Sequence, residues 1–456
     1  MRIPNHHGIT FLLGAGASAE AGLPMSRGIT QLMIDRLSDE RWDRQAGYAL
    51  NFVVSAIIAD DGRSGHRPDE LPDIERVASA IELLAGRSDL EISPFVASWE
   101  PALTALEAAP PREPMTLERN LVRTLTGQRP GSHAPAATEI SGLLRQWSDA
   151  QTRRRSLPSS WSANFRKAVA PQPDGRELVK LLKQLIASQL PGQRSPVFFR
   201  LLELLITHLG DILDIDDDSK FDYLTPLVQL DLPPGVPLTI ATLNYDLGVE
   251  LVARRAGVEV SRGIEGWASS GLLNFTDAPV RLLKLHGSLD WERERRRSAL
   301  APRQSLVSDD SRTDRPFLVF GQREKLRAEG PFLQLLEAFR TALYSAETLI
   351  VLGYAFRDGH INECVAGWLA GDARRRLIVV DPYFPEFSGW GADADFRRDL
   401  LRWGEVATAG EQGMRRLDIR RESASQFLAD IRDVGPRALL ETAFAARESE
   451  EGEQRE

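Results

Sequence analysis

Gly8-Ile9-Thr10-Phe11-Leu12-Leu13-Gly14-Ala15-Gly16-Ala17-Ser18-Ala19 is the stretch on which the fold turns. Residues 8–13 form a short apolar run that stops at a glycine, so they read as a buried strand entering a turn. The residues that follow satisfy G-x-G-x-x-A. In such a turn small residues let backbone N–H groups approach a pyrophosphate at a helix N-terminus, where the helix dipole also favours an anion. Gly14, Ala15, Gly16 and Ser18 are therefore candidate phosphate-binding residues. A tight strand-to-helix turn without a ligand fits the same pattern. The acidic ribose partner expected about twenty residues downstream is missing, which speaks against an ordinary dehydrogenase.

Strand signals return far along the chain, at residues 238–242, 280–285, 317–320, 348–352 and 376–380. Helix-compatible sequence at 247–256 and 331–345 separates them. Such alternation predicts an α/β fold, a Rossmann-like parallel sheet with helices on both faces. The intervening chain reads as mostly helical. Ile74, Val77, Ala78, Ile81, Leu84 and Ala85 share one helical face, with Asp73 placed to cap it and Gly86 to end it. Leu178, Leu181, Leu182 and Leu185 repeat the pattern, residues 198–209 are a further apolar helix, and residues 127–135 and 153–175 are loop-like. The expected organisation is one domain over residues 1–400, with its core at about 1–27 and 236–400 and a large helical insertion at about 28–235. A C-terminal extension, 401–456, carries a strand at 417–420 and an acidic tail at 448–456.

With 42% hydrophobic and 27% charged residues the composition is that of a globular protein, and a formal charge of −9 argues against general nucleic-acid coating. Sequence-specific contact with nucleic acid is not expected. A single cysteine, Cys364, and seven scattered histidines give no metal-ligand spacing. The first residues lack a basic-then-apolar signal and no apolar run reaches membrane-spanning length, so the expected location is the cytoplasm. Asp214, Asp216, Asp217 and Asp218 resemble the start of a calcium loop, but Ser219 stands at the turn glycine and Thr225 at the closing glutamate. The arginines at 153–155 and at 293 and 295–297 read as exposed surface charge.

Three motifs extend the glycine turn. Residues 14–27 combine G-A-G-x-S with A-G-x-P and then Arg27. Thr242-Leu243-Asn244-Tyr245-Asp246 reads T-x-N-x-D, and Leu285-His286-Gly287-Ser288 reads L-H-G-S. In this order, each at the end of an expected strand, they resemble the sirtuin family, whose L-H-G-S histidine is catalytic. Gly353-Tyr354-Ala355-Phe356, with Asp358 and Ile361-Asn362, looks like the G-Y-S-F-x-D-x-x-I-N element of bacterial sirtuin-like proteins. Val379-Val380-Asp381-Pro382 looks like their late strand, with Asp381 suited to a ribose hydroxyl. The four-cysteine zinc module of the protein deacylases is absent, and Met25-Ser26-Arg27 stands where deacylases have D-F-R. The resemblance covers residues 8–27 and about 236–385. It implies an NAD glycohydrolase of anti-phage defence, with NAD as substrate, no metal, and control by a partner or an appended sensor.

The chemistry implied assigns roles. Nicotinamide is cationic on ribose and leaves neutral, so no general acid is needed, and the transition state resembles an oxocarbenium ion. Asn244 offers donors and an acceptor for positioning ribose or water. His286 is the base for a ribose hydroxyl or the attacking water. Asp246 would bind the nicotinamide amide or steady the Asn244 loop, and Arg27 would face the diphosphate or nicotinamide side. Thr242, Gly353, Tyr354 and Asp381 complete the expected NAD site. A strand-end histidine, an Asn-x-Asp helix cap and an Asp-Pro turn are the ordinary structural counterparts of His286, Asn244–Asp246 and Asp381. Protein deacylation, ADP-ribosyl transfer and non-catalytic NAD or ADP-ribose sensing are the alternatives. A large insertion with several apolar faces suggests a homo-oligomer and a partner such as a HerA-like ATPase or a short Argonaute-type protein.

Overall fold

In the computed structural model, the apolar runs assemble into a seven-stranded sheet in which every neighbouring pair is parallel. The structure describes residues 8–38, 44–64, 70–87, 196–230, 237–265, 267–293, 306–308, 316–318, 330–384, 392–408 and 416–435, with 142–143, 146 and 164 as isolated positions. The features expected at 127–135, 153–175, 178–185 and 448–456 lie outside the described residues, apart from the isolated position 164. The chain divides into two compact units, Met1–Glu82 with Leu201–Glu456, and Leu83–Arg200.

In chain order, β1 (Ile9–Leu13) runs into a 3-10 helix, Ala15–Ala21, followed by helices α1 (Ser26–Ser38), α2 (Arg44–Arg63), α3 (Ile74–Ala85) and α4 (Pro196–Ile212). A second 3-10 helix, Asp218–Leu224, leads towards β2 (Leu238–Thr242), α5 (Gly248–Ala256), β3 (Val260–Ser261) and β4 (Val280–Lys284). Then come β5 (Gly287–Arg293), β6 (Leu306–Ser308), β7 (Pro316–Leu318), α6 (Phe332–Ser345), β8 (Thr348–Leu352), α7 (Gly359–Gly371), β9 (Arg376–Val380), α8 (Ala392–Thr408), β10 (Leu417–Arg420) and α9 (Ala424–Val434). Asp73 does cap α3, its Oδ1 accepting from Arg76 N at 2.9 Å. Among the described residues no helix is long and apolar enough to cross a membrane.

Strand order is β10-β9-β8-β1-β2-β4-β3. The chain leaves the central β1 for β2 on one side and later returns to β8 on the other. That reversal makes a topological switch point at β1, the position where open α/β sheets bind ligands beyond the carboxyl ends of their strands. Strands β1, β2 and β8 are buried at every residue, as expected of a parallel sheet covered on both faces. Alternation divides their side chains between the two faces. Leu12, Ala241, Leu283, Leu349, Val351, Leu377 and Val379 join one core with Leu335 and Phe339 of α6 and Val365 and Trp368 of α7.

Of the strand expected at 317–320, the described residues 317–318 do not join this sheet. Pro316–Leu318 instead pairs antiparallel with β5, beside β6, in a separate three-stranded sheet. Gly287 permits the departure. It is the first residue of β5 and has φ +94°, so the chain bends between β4 and the new ladder without strain.

Candidate active site

The strand ends are in register. Leu13 pairs with Thr242 and with Leu352, Thr242 with Lys284, and Leu352 with Val380. Gly14, Leu243, Leu285, Gly353 and Asp381 therefore each stand one residue past their strand on the same sheet edge. Motifs hundreds of residues apart meet there because the backbone ladder aligns them.

The glycine turn packs against the loop after β8. Gly14 N donates to Leu352 O and Gly16 N to Gly353 O, both at 2.9 Å. A Cβ on Gly14 would stand 2.5 Å from Tyr354 Cα, and one on Gly16 would stand 2.8 Å from Gly353 Cα. Close backbone-to-backbone packing thus already demands glycine at both positions. Ala15 is exposed, and the turn enters a 3-10 helix, with Ala17 N donating to Gly14 O. Tyr223 clamps this helix, its hydroxyl donating to Ala17 O at 2.5 Å. Burial first, then Asp246 and Glu20, raise that hydroxyl's pKa far above the ordinary tyrosine value, so it remains a donor.

Asn244 joins this loop to the β2 loop. Its Nδ2 donates to Gly14 O and to Ser18 Oγ, both at 2.9 Å, and Ser18 Oγ donates to Asp246 Oδ2 at 2.8 Å. A carbonyl can only accept, so the amide orientation is dictated and Oδ1 of Asn244 faces away from this network. Thr242 Oγ1 accepts from Asn244 N at 3.0 Å. The second oxygen of Asp246 accepts from Gly248 N at 3.0 Å, at the start of α5. Both oxygens of Asp246 thus steady the Asn244 loop. Buried Lys284 donates to Asp246 O and lies 3.3 Å from Glu250 Oε1. Desolvation raises the Glu250 pKa, and Lys284 opposes that rise.

His286 follows β4 and is 3% exposed. Nε2 lies 2.9 Å from Asp358 Oδ2, and Nδ1 lies 3.7 Å from Glu75 Oε1 of α3. The Tyr245 ring is 6.4 Å from the imidazole. Burial first, then Glu75, Asp358 and Asp73, push the Tyr245 hydroxyl well above its ordinary pKa, which keeps it neutral beside an acid-rich histidine. In the sequence Asp358 is one letter of a motif, with nothing to mark it as a partner of His286. Glu75 falls in a helix that reads only as insertion, and Tyr223 carries no sequence signal.

The remaining expected site residues make the following contacts. Tyr354 is buried, and its hydroxyl accepts from Asp358 N at 2.9 Å and lies 3.0 Å from Asn362 Oδ1. Asn362 Nδ2 donates to Phe356 O at 2.8 Å. Tyr354 and Asn362 therefore brace the loop that carries Asp358. Gly353 adopts φ +60°, where a Cβ would meet Ala17 N at 2.3 Å. Arg27 pairs with Glu70 at 2.5 Å. Asp381 accepts from Tyr383 N at 2.9 Å and faces Arg397 at 3.7 Å, an arrangement that closes the strand-end turn. Among the described residues no group of three His, Cys, Asp or Glu side chains converges to hold a metal.

No curated protein matches the chain. Residues 238–402, running from β2 into α8 and carrying Asn244, Asp246, His286 and Asp358, match the family model described as SIR2-like domain, which supports a sirtuin-like relationship.

Proposed function

We propose that this protein is an NAD+ hydrolase that cleaves the nicotinamide–ribose bond to give nicotinamide and ADP-ribose. The observation that carries the reading is the meeting, on one sheet edge, of the Asn244–Ser18–Asp246 network with the buried His286–Asp358 pair. In hydrolysis the C–N bond breaks with its electron pair going to the ring nitrogen, and water supplies the new bond to the ribose carbon. The proton released from that water passes to a base. His286 is suited to hold it, and Asn244 Oδ1 to orient a ribose hydroxyl or the water. Carboxylates of Asp358 and Glu75 flank His286. A negative environment favours a transition state in which positive charge resides on the ribose.

With one cysteine in the chain, the four-cysteine module of protein deacylases has no counterpart, which favours water over an acyl-lysine as acceptor. The biological setting proposed is cytoplasmic NAD depletion in anti-phage defence. There the protein acts as a homo-oligomer with a partner such as a HerA-like ATPase or a short Argonaute-type protein.

Purified protein, alone and with the products of neighbouring genes, is to be incubated with NAD+ and nicotinamide release followed. Asn244→Ala and His286→Ala should each lower turnover by about 10²-fold or more, the usual scale for losing a general base or a positioning group. Intact NAD+ in every triggered assembly would overturn the reading. Release that requires a protein or nucleic-acid acceptor would replace it with ADP-ribosyl transfer.

A further inference from the structure

The His286 imidazole has two nitrogens, and the fold commits one of them. Nε2 faces Asp358 Oδ2 at 2.9 Å, with both side chains buried. An ionised carboxylate only accepts, so the hydrogen of a neutral imidazole resides on Nε2. Nδ1 has no hydrogen-bond partner among the described residues, and Glu75 Oε1 at 3.7 Å is beyond hydrogen-bond length. We propose that Asp358 is a positioning residue that holds His286 as the Nε2–H tautomer and thereby makes Nδ1 the proton-accepting atom. The inference deepens the hydrolase reading and rests on it for the identity of the reaction.

Asp358 is itself held from several directions. Its Oδ1 accepts from His360 N at 3.0 Å and Ile361 N at 3.4 Å, capping α7. Its backbone N–H is fixed by the Tyr354 hydroxyl, and Tyr354 is tied to Asn362. Phe356, two residues before it, adopts φ +56°, a conformation rare for an aromatic residue. Complete burial of Phe356 against Phe396 and Tyr354 holds that backbone in place. The two carboxylate oxygens thus divide their work, Oδ1 for the helix and Oδ2 for the histidine. Such division is how a carboxylate locks a ligand or base histidine in one tautomer and orientation.

That division makes Asp358→Asn a sharp test. Its amide oxygen keeps the helix cap, while its NH2 group faces Nε2, which must then accept and shift the hydrogen to Nδ1. The groups around the imidazole, Asp358, Glu75, Asp73 and Tyr245, otherwise stay the same. In full-length protein labelled with 15N-histidine, and with the resonance identified by His286→Ala, the wild type should show the Nε2–H tautomer and Asp358→Asn the Nδ1–H tautomer. Turnover of NAD+ by Asp358→Asn should fall about 10³–10⁴-fold in kcat with KM changed less than about threefold, the scale seen when a base histidine is held in the wrong tautomer. The double variant with His286→Ala should lose little more than either alone. An Nδ1–H wild type, or Asp358→Asn with kcat within about threefold of wild type, overturns the inference. The wild-type spectrum reports the tautomer directly, so an Asp358→Asn variant that fails to fold leaves the question decided. A wild type that is Nε2–H yet leaves NAD+ intact in every assembly sinks the hydrolase reading while retaining the tautomer assignment.

Discussion

At Gly353 conformation and space impose the same choice. The residue sits at φ +60°, and its missing Cβ is the room that Ala17 N occupies. Gly22 also has positive φ, +90°, but nothing lies within 4 Å of its absent Cβ. Gly22→Ala should therefore cost about 1–2 kcal/mol, the left-handed penalty alone. Gly353→Ala should cost clearly more, because the collision separates the β1 and β8 loops. Chemical denaturation of both variants checks the order, and equal losses would mean that the loops part easily. The motif glycines are thus legible in the sequence as positions needing small residues. Their reason is not legible there, since the pyrophosphate rationale and the loop-packing rationale demand the same residue type.

Among the elements, α3 is legible to the residue. Its apolar face and its Asp73 cap are local properties of the chain, and local periodicity reports them. Its relation to the site is not legible, because it depends on a segment that approaches from elsewhere. Residues Glu70, Asp73 and Glu75 face Arg27, Arg357 and His286 in turn, at 2.5, 3.5 and 3.7 Å. The first two are partly exposed ion pairs, which contribute little stability on their own. The firmer anchor is buried Thr30, whose hydroxyl donates to Pro72 O at 2.8 Å. Thr30→Val leaves that carbonyl unsatisfied and should destabilise the protein by about 1–3 kcal/mol. It should also increase hydrogen exchange over residues 70–76 before the rest of the core. Exchange that rises uniformly would show that the segment is not anchored there.

For the whole molecule, the family match spans residues 238–402, yet the central strand lies outside it. β1 pairs with β2 on one side and β8 on the other. A fragment of residues 238–402 lacks the strand between those two and would expose their apolar edges. It should show no cooperative thermal unfolding and should aggregate, whereas the full chain unfolds cooperatively. A soluble fragment with dispersed amide resonances would contradict the assigned topology. The sequence by itself determined the strand–turn punctuation, the parallel α/β class and the motif segments, because periodicity, turn residues and short motifs are local properties. The run at 317–320 reads as a strand of the main sheet for the same reason, since apolar content does not encode which ladder a strand joins. Only the tertiary structure joined Ser18 to Asn244 and Asp246, brought Asp358 and Glu75 to opposite nitrogens of His286, and turned Arg27 and Asp381 towards ion pairs. Those relations arise from strand register and close packing across hundreds of residues, which no local pattern records.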